Sequence, residues 1–178
     1  LRHPVSVLAL GELGWIQVLN FFIPGALMLA FAIRLRRAFR PAFWGSFLIG
    51  LVGVGCVASG MFTSDPINGY PPGTPLFPMQ TTEGMIHSLS ALPVFLGWPI
   101  ACGLVGRRFW KLGQRGWAIY SVVTAIAIVV TTGLAGLGLS QTNLALSEVA
   151  GAFQRLSVIL GFAWTAFVAH HLMRSLPE

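Results

Sequence analysis

The chain has 178 residues, of which 55% are hydrophobic and 9% are charged, and its formal net charge is +6. An ordinary soluble domain carries roughly 25% charged residues, so this composition excludes a soluble globular protein and predicts an integral membrane protein. The positive charge does not indicate nucleic-acid binding, because the cations fall in short clusters between apolar runs, where they orient membrane helices.

Five apolar segments follow one another along the chain. Each is close to the length of about 20 residues that one helix needs to cross a bilayer. We therefore predict an all-α fold, a polytopic transmembrane helix bundle in which residues 1–178 form a single domain. The predicted spans are about 15–33, 43–62, 83–105, 117–138 and 149–172.

Basic residues cluster after the first, third and fifth predicted spans, with the two largest clusters at residues 34–40 and 107–115. Short cytoplasmic loops accumulate Lys and Arg. This pattern predicts a multi-pass protein of the cell membrane with Leu1 outside and Glu178 in the cytoplasm. An odd number of spans with an external start also predicts one further span before Leu1, and so six in the full protein.

The longest outer loop is predicted at residues 63–82, between the second and third spans. Proline recurs along it and cannot continue a helix, because its ring fixes φ and its nitrogen donates no hydrogen bond. The prolines are Pro66, Pro71, Pro72, Pro75 and Pro78. We expect an ordered turn structure or a lid over the bundle, and the alternative is a linker that only connects the two spans.

Small residues are frequent in the second and fourth predicted spans. They allow helix backbones to approach closely in lipid, where apolar side chains gain little from leaving their solvent. The second span contains Gly53 and Gly55, and the fourth contains Gly133, Gly136 and Gly138. We expect both groups to build helix contacts.

Arg155 lies about six residues inside the fifth predicted span. An arginine near the centre of the bilayer costs from about 3 to above 10 kcal/mol on an isolated helix, so it needs a partner. We expect it to pair with Asp65 or Glu83, which lie at the same outer end of the bundle. The alternative is that its long side chain reaches the nearby outer headgroups.

Other polar residues fall at the same depth as Arg155. Glu148 precedes it by two helical turns and shares its face, and His87 follows Glu83 by four residues on the third span. Together these residues predict an outward-facing polar pocket. Its predicted ligand-binding residues are Asn20, Asp65, Glu83, His87, Glu148 and Arg155. Three of them also have a local explanation: Asp65 as a turn cap, Glu83 as a first-turn acid and His87 as an interface hydrogen bond.

Several short stretches along nearly the whole chain together resemble one known family. They are Gly60-Met61-Phe62-Thr63-Ser64-Asp65-Pro66, Pro71-Pro72-Gly73, His87, Asn20 with Pro24-Gly25, Arg107-Arg108-Phe109 and Gln154-Arg155. The pattern resembles the integral membrane family called "domain of unknown function 998". That resemblance implies a six-helix bacterial or archaeal membrane protein in which Asp65, His87 and Arg155 occupy recurrent polar positions and Gln154 joins the pocket. It implies no established reaction.

Three classes of function fit this sequence. The first is a binding or accessory protein whose pocket holds a lipid headgroup or a small amphipathic ligand, or a subunit of a membrane complex. The second is an intramembrane enzyme, with Asp65 or Glu83 as general acid, His87 as base and Arg155 stabilising negative charge. In a metal-dependent version of this enzyme, Asp65, Glu83 and His87 would bind zinc. The third is a proton-coupled transporter.

We expect no cofactor and no resident metal, because HxxxH and CxxC spacings are missing. Membrane lipids, a protein partner or a second copy are the expected partners.

Overall fold

A computed structural model describes residues 1–76, 78–141 and 143–175. Glu178, which the charge pattern assigns to the cytoplasm, lies outside the described residues. A 3-10 helix at Val5–Leu10 precedes the α-helices. These are α1 Gly14–Ala38, α2 Trp44–Met61, α3 Thr82–Leu92, α4 Trp98–Lys111, α5 Arg115–Leu139, α6 Leu144–Ser147 and α7 Ala150–Ser175, with a π-helical turn at Pro93–Gly97 joining α3 to α4.

The predicted all-α bundle with five spans is confirmed. The helices that are long and apolar enough to cross a membrane are Gly14–Ala38, Trp44–Met61, Thr82–Lys111, Arg115–Leu139 and Ala150–Arg174. Several extend beyond the predicted ends, since α1 continues to Ala38 and α4 to Lys111. The apolar runs stop at the first cation, whereas arginine is a good helix former and lets the helix continue past it.

The basic clusters and the long loop define the two ends of the bundle. We call the end with residues 34–40 and 107–115 the basic end, and the end with residues 62–81 the loop end. Most of the hydrophobic core lies in the middle and towards the basic end, around buried residues of α1, α2, α4, α5 and α7. Its largest fully buried side chains are Met28, Leu35, Ile49, Trp98, Phe109, Ile128 and Trp164.

The third span changes its backbone geometry midway, at the π-helical turn Pro93–Gly97. Proline cannot donate to the preceding helical turn and its ring crowds the carbonyl four residues earlier, so the regular hydrogen-bond ladder is interrupted there. The two halves of the span then have different neighbours. Among the described residues, α4 packs against α2 and α5, whereas α3 packs against α2 and makes no extended contact with α5 or α7.

The expectation for the small residues is correct for the second span and wrong for part of the fourth. A Cβ placed on Gly55 would lie 2.5 Å from the Ser90 carbonyl oxygen, so this glycine permits close packing of α2 on α3. Gly138 likewise allows α5 to approach Leu146. Gly133 and Gly136 have no described atom within 4 Å of such a Cβ, so they build no contact. Residue type alone does not specify which face of a helix meets a neighbour.

The contact between Gly161 of α7 and the indole of Trp98 supplies a stability test. A Cβ on Gly161 would lie 2.7 Å from two ring atoms of Trp98, which is itself buried. The clash should cost about 1–3 kcal/mol and the helix-propensity gain should return about 1 kcal/mol, so we expect Gly161→Ala to destabilise the bundle by up to about 2 kcal/mol. Thermal unfolding in detergent measures the change. Gly133→Ala is the matched control and should leave the unfolding temperature unchanged or raise it; equal effects of both substitutions would contradict the packing.

Candidate functional site

A cavity of about 950 Å³ occupies the loop end of the bundle. This size lies in the upper part of the range of roughly 300–1,000 Å³ that is typical of small-molecule sites. Its walls come from α1, α2, α3, the π-helical turn and α7, and its floor includes Trp98 at the start of α4. The cavity lies where α3 separates from α5 and α7, so the split in the third span provides its space.

Two chain segments cover the cavity at the loop end. One is the roof loop, residues 62–81, whose residues Ser64–Asn68 and Leu76 line the cavity. The other is the N-terminal segment, residues 1–13, whose residues Pro4–Val7 line it from the opposite side. Because both segments lie across the ends of the helices, how they are held decides whether the cavity is open there.

The roof loop is attached to the start of α3 by carboxylates. Asp65 accepts hydrogen bonds from the backbone nitrogen of Thr81 at 3.0 Å and from its hydroxyl at 2.7 Å. The hydroxyl oxygen of Thr81 in turn accepts a bond from the nitrogen of Gly84 and so caps α3. Glu83 accepts from the nitrogen of Thr63 at 2.9 Å. These bonds join both ends of the loop to one helix terminus.

His87 completes this attachment and also faces the cavity. Its Nδ1 lies 2.8 Å from the carbonyl oxygen of Phe62, and because a carbonyl only accepts, Nδ1 is the donor. The ring is buried and meets Phe21 edge-on at 5.8 Å between centroids. When the imidazole is neutral, its Nε2 therefore carries the lone pair and can accept a hydrogen bond from a molecule in the cavity.

Arg155 does not pair with Asp65 or Glu83, so that prediction is wrong. Its guanidinium donates to the backbone carbonyl oxygens of His3 at 2.9 Å and Gly151 at 2.8 Å. The first of these bonds ties the N-terminal segment to α7. Carbonyl oxygens can accept hydrogen bonds from a partly buried guanidinium just as carboxylates can. Arg155 therefore binds the main chain instead of the predicted carboxylate side chain.

Two further bonds hold the N-terminal segment against the first turns of α7. Gln154 accepts from the backbone nitrogen of Val5 at 2.8 Å, and the nitrogen of Gly151 donates to the carbonyl oxygen of Arg2 at 3.1 Å. Glu148 forms only a long ion pair with Arg2, at 3.8 Å, and its side chain is 68% exposed. Such exposed pairs contribute about 0–1 kcal/mol, so the hydrogen bonds carry the attachment.

His3, in the N-terminal segment, contacts the roof loop. Its ring packs on that of Tyr70 with 5.3 Å between centroids. Burial lowers the pKa of His3 below its usual value, and the positive charge of Arg2 lowers this pKa further. The neutral ring is therefore favoured at the point where the two covering segments meet.

The structure separates the seven predicted site residues into two groups. Four of them line the cavity: Asn20, Asp65, His87 and Gln154. The remaining three, Glu83, Glu148 and Arg155, lie outside the lining and contact the covering segments or their flanks. The residues predicted to form one pocket thus lie in or near one cavity. Most of their hydrogen bonds, however, attach the roof loop and the N-terminal segment to the helices.

Sequence reasoning missed two amides that face the cavity. Gln17 and Asn68 each have only 7% of their surface exposed, and both line it. No hydrogen bond to either side chain occurs among the described residues, yet neither contributes a fully buried unpaired atom, so both amides remain accessible from the cavity; Asn20, which also lines it, is exposed. The available signal was the spacing of Gln17, Asn20 and Pro24, which places three cavity residues on one face of α1.

The deeper part of the cavity is apolar. Phe95, Trp98, Val158 and Phe162 line it, and the rings of Trp98 and Phe162 meet edge-on at 4.8 Å. Among the described lining residues there is no Lys or Arg, and Asp65 is the one carboxylate. The cavity therefore has an aromatic floor, and the described polar side chains near its cover include no Lys or Arg.

The zinc version of the enzyme hypothesis lacks its ligand set. Within residues 1–76, 78–141 and 143–175, no group of three or more His, Cys, Asp or Glu side chains is arranged to hold a metal ion. The carboxylate oxygens of Asp65 and Glu83 instead accept hydrogen bonds from Thr81 and Thr63.

Removal of the Arg155 guanidinium should release the N-terminal segment. Arg155→Met keeps much of the apolar stem but leaves the carbonyls of His3 and Gly151 without these donors, and each charge-assisted bond contributes roughly 1.5–3 kcal/mol. We expect faster amide hydrogen exchange in residues 1–13, by at least about tenfold. Arg174→Met, at an exposed position near the other end of α7, is the control. Unchanged exchange in Arg155→Met would show that this bond does not hold the segment.

Comparison with known proteins agrees with the fold and leaves the chemistry open. No curated protein and no solved structure matches this chain. The family model described as "Protein of unknown function (DUF998)" matches residues 1–171, which is nearly the whole chain. The helical bundle with its covered loop-end cavity therefore belongs to a member of the DUF998 family, as the motifs around Asp65 and His87 predicted.

Proposed function

We propose that this membrane protein binds a small amphipathic molecule in the loop-end cavity. The observation that carries the proposal is the division of the lining, with unpartnered amides of Gln17, Asn20 and Asn68 towards the cover and the rings of Phe95 and Trp98 below. The polar atoms of Gln17 and Asn68 stay accessible from the cavity and have no partner in the described protein, so a ligand can hydrogen-bond to them without breaking a bond within the protein. An aromatic floor favours the apolar part of the same molecule.

The charge of the lining narrows the kind of polar group that fits. Arg155 is occupied by backbone carbonyls, and no other Arg or Lys lines the described cavity. An anionic headgroup would lie near Asp65 without a cation to compensate it, which is unfavourable at low dielectric. The lining therefore supports an amphipathic ligand without net negative charge in preference to a phosphate headgroup.

The enzyme hypothesis has weaker support. His87 lines the cavity and is the candidate base, but the oxygens of Asp65 and Glu83 already accept hydrogen bonds from Thr81 and Thr63. A general acid needs a proton that faces the reacting group. Proton-coupled transport and a protein partner stay predictions of the sequence.

We also propose that the loop end faces outward and the basic end faces the cytoplasm. The support is the positive-inside rule, applied to the clusters at residues 34–40 and 107–115. Orientation decides from which side of the membrane the roof loop is reached.

Single cysteines test this orientation in a protein from which Cys56 and Cys102 have been removed. Met79, in the roof loop, is 92% exposed, and Lys111 at the end of α4 is also exposed. In intact cells a membrane-impermeant maleimide should label Met79→Cys and not Lys111→Cys, and permeabilisation should expose the second. The reverse pattern would overturn the proposed orientation.

Native mass spectrometry of gently solubilised protein tests the binding function. Gln17→Leu removes one amide from the lining while preserving much of its volume, and the loss of one hydrogen bond of about 1.4 kcal/mol should reduce ligand retention by about tenfold. Gln114→Leu makes the same change at the basic end, where Gln114 bonds to His171, and should retain the ligand. A wild-type protein that retains no small molecule, or equal loss in both variants, would contradict the proposal.

A further inference from the structure

In the part of the chain that the structure describes, α3 and α7 line two sides of the loop-end cavity without extended backbone contact with each other, and we call the space between them the gap. On one side, α3 and the π-helical turn contribute Ser88, Ala91 and Phe95 to the lining, spaced so that they share one helix face. On the other side, α7 contributes Val158 and Phe162. Both sides line the same cavity, yet α3 makes no extended contact with α5 or α7 among the described residues.

The depth of this gap matches one leaflet of a membrane. α3 has 11 residues, which corresponds to about 16 Å of helix rise. Half of a hydrocarbon core is about 15 Å thick. Below the gap the wall closes, because α4 packs against α5 and the Trp98 indole lies against Gly161 and Phe162. The opening therefore begins near the helix ends and stops near the middle of the bundle.

The route from water is covered, in contrast to this side gap. The roof loop is joined to α3 through Asp65, Glu83 and His87, and the N-terminal segment is joined to α7 through Gln154 and Arg155. These attachments combine several hydrogen bonds, three of them to carboxylates, which are stronger than bonds between neutral groups. No comparable bond between α3 and α5 or α7 occurs among the described residues.

We infer that the cavity exchanges its ligand sideways with the membrane leaflet at the loop end, through the gap between α3 and the pair α5 and α7. The ligand is then a lipid with an uncharged, hydrogen-bonding headgroup, whose chain lies over Trp98 and whose head meets Gln17, Asn20 and Asn68. This inference rests on the proposed binding function, and it adds the ligand's source and chemical class.

Quenching of tryptophan fluorescence by bromine tests this route. Bilayer lipid would quench the tryptophans outside the buried core directly, so the reference protein, called wild type in this test, is the full chain with Trp15→Phe, Trp44→Phe, Trp110→Phe and Trp117→Phe. It is reconstituted in phosphatidylcholine vesicles that contain a monoacylglycerol brominated on its acyl chain. Trp98 has 2% of its surface exposed and lines the cavity, so it is quenched only when a brominated chain enters. We expect lipid-dependent quenching in the wild type that is reduced in Trp98→Phe. Trp164→Phe removes an equally buried indole outside the lining and should keep the effect.

Two variants on the third span test the gap itself. Ala91→Phe adds a ring at the cavity wall and should abolish the quenching of Trp98 by the brominated monoacylglycerol. Leu92→Phe, at the neighbouring exposed position outside the lining, should leave it intact. If Trp98→Phe fails to fold, the comparison of wild type, Ala91→Phe and Leu92→Phe decides alone. Equal quenching in all three would overturn the lateral route.

Two further measurements distinguish the failure of the route from the failure of the binding function. Brominated phosphatidylglycerol in place of the monoacylglycerol should not quench Trp98, and quenching would overturn the uncharged headgroup. A brominated monoacylglycerol added to detergent-solubilised protein reports binding without a membrane. Quenching of Trp98 there, without quenching in vesicles, would overturn lateral exchange and keep the binding function. The absence of quenching in both would overturn both proposals.

Discussion

Pro93 imposes the constraint on which the loop half of the bundle depends. Without an amide hydrogen it cannot continue the hydrogen-bond ladder, and a π-helical turn follows from Pro93 to Gly97. α4 stays in the packed core, whereas α3 is held by α2, through the bond between the hydroxyls of Ser59 and Ser90 and the close approach at Gly55. The space between α3 and α7 is left to the cavity.

The polar residues at this end have a shared physical role. Helix ends and loops carry backbone groups that no helix satisfies, and buried ones need partners. Asp65 and Glu83 accept from loop nitrogens, whereas His87 and Arg155 donate to carbonyls of the covering segments. Residues that look like a reactive cluster in the sequence thus serve mainly to hold two segments over the cavity. Most of the hydrogen-bonding capacity left for a ligand belongs to neutral amides and to Nε2 of His87.

Apolar length and charge were sufficient to predict five spans, and the position of polar residues along them indicated the end of the bundle at which the cavity lies. Three features were beyond that reasoning. Arg155 finds main-chain carbonyls, which every residue carries and no sequence pattern marks. Gly133 and Gly136 face no neighbour, because residue type does not specify the packed face. Proline predicts an interruption at position 93, but which neighbours the two halves of the span keep depends on the whole bundle.

The Trp98 indole closes the bottom of the cavity, seated on Gly161 and against the ring of Phe162. The ring lies so close to the backbone of α7 that even a Cβ at position 161 would clash with it. The ring therefore cannot move deeper into the bundle without displacing α7. For the lipid ligand proposed above, it would act as a molecular gauge of chain length: a hydrocarbon tail up to the depth of the cavity would lie straight, and a longer one would have to fold back or protrude between the helices. Selection among otherwise identical molecules would follow from one fixed ring.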